Sequence, residues 1–349
     1  RLDYSTGAEA FLLEPQSTNL VPYSEDFSQW VASDLTVIDN NSISPEGILN
    51  ASKLTAVYGN VTKRIQLTGL PTSSAERSYS IFVKTDNIDA IQLLHSGDLQ
   101  GFARFDLVNY TVGSVGSKTT AKIENYGNGW YRCTAIFDST NAFGSSLYIY
   151  LSDSAVGTYG GVTSQVGDLF IYGAQYEQNS YSTSYIPTSG ASATRNQELC
   201  NNATPVINSE EGTLYAEISS LADDQTNRII SLSDGTGNNQ VLILYQLGSN
   251  ILRVGFQVAN QTDIVIDVNT NTTLISKIAV NYNSTSVKLY LNGSKVGETS
   301  TGYTFSSNVL DNLSFSYGSG ILPFFGNTKD LKYYPKALAD VQLQDLTTI

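Results

Sequence analysis

Three short stretches hold the side chains best suited to chemistry: GFARFDL (101–107), GWYRCTAIF (129–137) and SLYIYLS (146–152). Each alternates, and in a strand alternate residues face opposite sides. Phe102, Arg104 and Asp106 then oppose Ala103 and Phe105. Trp130, Arg132 and Thr134 oppose Tyr131, Cys133 and Ala135, and Tyr148 and Tyr150 oppose Leu147, Ile149 and Leu151. The second set of each belongs in a core, and the first is expected on an open face. Aromatic faces suit the apolar side of a pyranose, and guanidinium groups suit its hydroxyls or an acidic substituent. Phe102, Arg104, Trp130, Arg132, Tyr148 and Tyr150 are therefore the candidate binding residues, expected to share one sheet surface. Tyr245 in LILYQ and Arg253 in ILRVGF are their counterparts later in the chain, and Asp234-Gly235 in SDGTGNNQ reads as a turn. Tyr317 and Phe324-Phe325 are expected to pack against the C-terminal helix described below.

Hydrolytic chemistry has no comparable support. A glycosidase needs two carboxylates at a defined separation, and the E-x-D-x-x-E strand pattern is absent. Glu217, Asp223 and Asp224 are neighbours in EISSLADDQ, but Asp223-Asp224 reads as a solvated turn. His95 is the only histidine and no motif links it to a nucleophile, so the chain reads as a binding protein and not an enzyme.

Composition narrows the partners. A net charge of −13, without a Lys/Arg cluster, argues against nucleic acid and against attraction to an anionic membrane. No apolar run approaches the roughly 20 residues that cross a bilayer, so membrane insertion is not expected. A chain without methionine is expected to begin inside a longer precursor. Cys133 sits on the inward alternation of its strand; a buried free thiol is the leading reading and a bridge to Cys200 the alternative.

The elements that must position these residues are nearly all strands. Alternating runs separated by turn-rich segments fill residues 20–190, and a second series, from GTLYAEISS to LSFSYG, fills 211 onward. Between them, residues 191–210 carry no sustained period and read as a linker, while 1–19 read as an extended N-terminal segment. Asn292-Gly293 in SVKLYLNGSKVGE predicts a tight hairpin. The fold class expected is all-β, two β-sandwich (jelly-roll) domains, the second closed by a short C-terminal helix. That helix lies in ALADVQLQDL, with Leu338, Val341, Leu343 and Leu346 as its apolar positions, and would cover a sheet end or edge.

Two family resemblances accompany this reading. RIISLSDG, KIAVNYNSTSVKLYLNG and the closing DLKYYPKALADVQLQDL make residues 211–349 resemble concanavalin A-like (laminin-G-like) lectin domains. LLEPQSTNLVPYSEDFSQW, ARFDLVNYTVGSV, GNGWYRCTAIF and GDLFIYGAQYEQNSYSTSYIPTSGASATR make the first region resemble a carbohydrate-binding-module-like jelly roll of bacteriophage tail and receptor-binding proteins. The resemblance implies a virion or extracellular setting and a non-catalytic adhesin recognising host cell-surface polysaccharide. Its alternative is a structural or decorating virion protein that docks other virion proteins; oligomerisation is left open. It implies no required cofactor, but modules of this shape often hold a structural Ca²⁺ between an acid near the first strand, here Glu25 or Asp26, and one in the last, here Asp168 or Glu177.

Overall fold

The strand-like runs of the sequence are strands, and every pair of neighbouring strands is antiparallel. The computed structural model describes residues 9–57, 59, 61–72, 74–140, 142–200, 204–246, 248, 250–259, 261–300 and 305–349. In chain order the strands begin β1 (Phe11–Leu13), β2 (Ser17–Asn19), β3 (Val31–Ser33), β4 (Leu35–Ile43), β5 (Leu49–Ala56), β6 (Arg64–Leu67), β7 (Arg77–Thr85) and β8 (Ala90–His95). They continue with β9 (Phe102–Asp106), β10 (Thr111–Val115), β11 (Thr119–Asn125), β12 (Tyr131–Phe137), β13 (Leu147–Ser152), β14 (Gly167–Glu177) and β15 (Ala193–Arg195). The second series is β16 (Gly212–Ser220), β17 (Arg228–Ser233), β18 (Gln240–Gln246), β19 (Ile251–Val258) and β20 (Gln261–Asn269). It ends with β21 (Ser276–Tyr282), β22 (Val287–Leu291), β23 (Ser294–Glu298), β24 (Asn312–Ser314), β25 (Gly326–Tyr334) and the helix α1 (Asp340–Thr347).

One compact unit contains Gln16–Asn196. Its sheet I runs β10-β9-β8-β13-β6-β3 and its sheet II β11-β12-β7-β14-β5-β4. Between them lies one core, with Ile65, Ile91, Leu93, Phe105 and Ile149 from sheet I against Leu54, Tyr79, Ile81, Cys133 and Ile171 from sheet II. Gly173, at φ 64°, makes a bulge in β14 where the pairing with β7 shifts between Tyr172 and Gln175. The extra residue moves the inward set from Leu169 and Ile171 to Ala174 and Tyr176, and leaves Tyr172 on the outer face.

The other unit joins residues 9–15 to Gln197–Ile349. Sheet III, β1-β25-β16-β21-β22-β23, packs on sheet IV, β20-β19-β18-β17-β24, around Leu214, Ile218, Ile230, Ile243, Val254, Phe256 and Val280. Asn292 and Gly293, at φ 49° and 81°, close the β22–β23 hairpin as the sequence predicts. Leu343 of α1 is fully buried against Tyr215, Ala279 and Tyr290, so the helix covers the outer face of sheet III, not its edge. Leu338 and Leu346 pack beside it, but Val341 is 68% exposed. Residues two apart on a helix point in nearly opposite directions, so Leu343 and Val341 cannot both face the sheet.

The N-terminal segment is not a free extension. The described part of 1–19 gives β1 to the edge of sheet III beside β25, and β2 to a small pair with β15. β15 itself lies inside the stretch read as linker. Phe324 is in the intersheet core with Tyr245 and Phe315, and Tyr317 packs on the outer face of sheet IV with Ile229, Leu242 and Leu244, so neither packs against α1 as expected. Cys133 is buried and both cysteines are free. Among the described residues no helix is long and apolar enough to cross a membrane.

Candidate functional site

The outer face of sheet I gathers four of the expected residues. With Ile65, Leu93, Ala103 and Ile149 turned to the core, alternation sends Arg64 and Gln66 (β6), Gln92 and Leu94 (β8), Phe102 and Arg104 (β9), and Tyr148 and Tyr150 (β13) outward. Register sets Tyr150 between Arg64 and Gln92, and Tyr148 between Gln66 and Leu94. Leu94, Phe102 and Tyr150 form a buried floor on which Tyr148 and Tyr159 stand half-exposed. The Arg64 guanidinium lies 5.0 Å from the Tyr148 ring centre and 5.6 Å from that of Tyr150, and its Nη1 donates to the Tyr150 hydroxyl at 2.7 Å. Arg64 and Gln66 remain partly accessible, and Val31 of β3 lies exposed beside Gln66.

A wall beside this floor comes from residues 153–161. Arg104, 7% exposed, donates to Ser152 Oγ and to the carbonyls of Ser154, Thr158 and Gly160 at 2.7–2.9 Å. Gln92 holds the same loop, through Thr158 O and the Gly160 N–H, both at 2.8 Å. Burial pulls the Arg104 pKa below its ordinary value, with Asp153 opposing. Tyr159 donates to His95 O at 3.1 Å and sets its ring edge-on to Phe102. Burial, with Tyr148 and Tyr150 adding, pushes its phenol up to about 12, so it stays protonated at neutral pH. Arg104 thus fixes the wall and is not an open binding group.

Trp130 and Arg132 lie elsewhere. Both occupy the outer face of sheet II, so the expected common surface is divided between two sheets on opposite sides of one core. That second face is closed. Trp130, 1% exposed, packs with Ala51, Phe82 and Tyr172 and donates to Ile43 O. Arg132 lies over the Phe82 ring and donates to Ser80 Oγ and, at 2.8 Å, to Thr183 O of the segment returning from β14.

In the second sandwich Tyr245 is a core residue whose hydroxyl reaches Ile218 O, not a surface group. Arg253 is on the outer face of sheet IV in a two-pronged pair with Asp267, both contacts 2.7 Å. Asp234 caps its turn through Thr236 and Asn239, as expected. Asp224 pairs with Arg228, and Asp223 takes the Gly248 N–H. Asp223, Asn250, Asn269, Thr270, Asn271 and Thr273 line an open polar cleft of about 540 Å³ at one end of this sandwich, which the sequence reading did not single out.

Each of the carboxylates offered as a Ca²⁺ ligand, Glu25 or Asp26 with Asp168 or Glu177, is engaged by groups of the protein. Glu25 accepts from Tyr172, Tyr185 and Asn50, and Asp26 from Ser28. Asp168, opposite Thr55 near the start of β14, is bound by Thr55 and Lys53. Glu177, at the other end of that strand, is buried and accepts from Ser17, Gln175 and Thr183. Among the described residues no group of three or more His, Cys, Asp or Glu is placed to hold a metal.

Residues 192–344 match the family model of the concanavalin A-like lectin/glucanases superfamily, so the chain carries a domain of that class. Similar solved structures include the CBM40 of the Ruminococcus gnavus IT-sialidase bound to α2,3-sialyllactose, at 16% identity over 40% of this chain and 83% of that one, with a TM-score of 0.34. A SAP-like pentraxin from Limulus polyphemus is similar at 15% identity over 40% of this chain and 70% of that one, TM-score 0.34. Sheep galectin-11 is similar at 8% over 39% of this chain and the whole of that one, TM-score 0.29. No curated protein sequence matches significantly.

Proposed function

We propose that the chain is a non-catalytic glycan-binding protein whose first sandwich takes a saccharide on the outer face of sheet I. The observation that carries this reading is the half-exposed Tyr148 ring beneath Arg64, flanked by Gln66 and Tyr159 on a fixed floor. A pyranose has an apolar face that stacks on such a ring and hydroxyls that bond to the planar groups beside it. Asp106, the carboxylate on the same alternation, accepts from the Val108 and Asn109 N–H groups and so is occupied by its own turn. No cofactor is needed for this mode of binding. The lectin-type domain at 192–344 supports the same class of ligand, and its polar cleft is a second place for it.

The finer setting, a bacteriophage receptor-binding protein on the virion that engages host polysaccharide, rests on the sequence resemblance of the first region. A glycan array probed with the intact chain and with Tyr148→Ala tests the reading. Binding that is lost in the variant supports sheet I; binding that survives moves the site to the cleft of the second sandwich. A second reading, docking of other virion proteins or of a second copy, is favoured by the sheet II edge, where Ile38, Ile43, Ile48 and Leu49 of the β4–β5 hairpin are exposed. Light scattering of the isolated chain would show the self-association this requires.

A further inference from the structure

We infer that the saccharide taken by sheet I carries a carboxylate or sulfate group, read by Arg64. This rests on the glycan-binding reading above and adds a chemical class to it. The other cations of the described residues that lie in pairs or cages are already engaged. Lys53, Lys118, Arg228, Arg253, Lys288 and Lys332 have carboxylate partners, while Lys63, Arg104 and Arg132 are taken up by carbonyl and hydroxyl oxygens. Arg64 differs. In a chain with 32 acidic residues, none of the described carboxylates lies within ion-pair distance of it.

Its one hydrogen bond runs from Nη1 to Tyr150, and Nε is enclosed with no acceptor. Held against two aromatic rings, the guanidinium loses solvation at Nε and has no counter-charge beside it. Nη2 is neither bonded nor enclosed, and an anionic oxygen arriving from solvent on that side supplies an acceptor and the missing charge. The guanidinium fork matches a carboxylate or sulfate in two-pronged fashion, and such charge-assisted bonds are about twice as strong as neutral ones. The Tyr148 ring fixes where that group must sit: a sugar stacked against it brings its ring substituents beside Arg64, whose Cζ lies 5.0 Å from the ring centre. The net charge of −13 opposes the ligand at long range, but salt screens distant charges more than a contact pair.

Matched polysaccharides test this: polygalacturonate against its methyl ester, and chondroitin sulfate against desulfated chondroitin, each titrated into the intact chain. The expected result is that the acidic member of at least one pair binds about tenfold more tightly than its neutral partner, a preference that Arg64→Gln removes. Tyr148→Ala should weaken acidic and neutral members alike. Arg64→Lys keeps the charge and the packing, so it should retain part of the preference even if the glutamine variant unfolds. A preference absent from the intact chain, or unchanged in Arg64→Gln, overturns the inference and leaves glycan binding at Tyr148 standing. Failure of every polysaccharide to bind overturns both.

Discussion

At the scale of single residues, the meaning of an arginine depends on what reaches it from elsewhere in the chain. Alternation sorted Trp130, Arg132, Phe102, Arg104, Tyr148 and Tyr150 away from the core correctly, because polar and apolar residues take turns in those strands. It could not show that residues 153–161 return over Arg104 or that Thr183 returns over Arg132. Tyr245 failed for a different reason: VLILY is apolar at every position, so nothing in it fixed which set faces inward. Arg64 escaped the sequence reading: alternation in RIQL sets it opposite in direction to Ile65, but only the register beside Tyr150 gives it significance. The consequence is testable in urea unfolding. Trp130→Ala should cost about 3–5 kcal/mol, as a large aromatic side chain removed from a packed site. Arg132→Ala should cost at least ~2 kcal/mol, since it leaves the Thr183 carbonyl and Ser80 without their charged donor. Arg253→Ala, on an exposed pair, should stay below about 1 kcal/mol.

Among the elements, α1 shows how a short helix is retained on a sheet. Eight residues are too few to be helical alone, so packing must hold them. Leu343→Ala should destabilise the second sandwich by about 2–5 kcal/mol, whereas Val341→Ala, at an exposed position, should leave its melting curve within about 0.5 kcal/mol of the parent. Charge adds a smaller contribution. Asp340, in the first turn, meets Lys288 at 2.5 Å and Lys295 at 3.6 Å, and Glu298 completes the group. The Lys288 hydrogen bond holds the Asp340 carboxyl below the usual aspartate range and raises the lysine. A carboxyl lowered in the folded state stabilises above its unfolded value, near 3.8, and the contribution fades as pH falls through the folded value. The same pair raises Lys288, so its contribution is lost in alkali as well, as pH rises through the lysine's folded value. The protection of the α1 amides relative to their intrinsic exchange rates should therefore fall between about pH 4 and pH 2, by less than ~1 kcal/mol because Asp340 is half-exposed. Asp340→Asn should show that lower protection already at neutral pH and lose the dependence.

For the whole molecule, the path of the chain matters more than the position of its linker. The strand content and the two successive β series were plain from periodicity, but contact between β1 and β25 joins Phe11 to Thr328 and Leu13 to Gly326, and three residues of FLL carry no signal of their partner. The chain accordingly enters the second unit with residues 9–15, leaves it for Gln16–Asn196, and returns at Gln197. A cut in the linker therefore does not divide the molecule into its two cores. Residues 16–196 expressed alone should fold, since they retain β2, β15 and both sheets of the first sandwich. Residues 197–349 alone should be impaired: without β1, the edge of β25 lies open and the burial of Leu13, 2% exposed in the intact chain, is lost. Burial of one leucine contributes about 1.5–3 kcal/mol, a large part of the stability of a domain this size, and an uncovered edge strand invites self-association. Supplying residues 9–15 as a peptide, or joining them through a flexible linker, should restore the melting temperature and suppress aggregation. Equal stability of 197–349 with and without that segment would show that β1 is dispensable and that the second sandwich is complete from Gln197 onward.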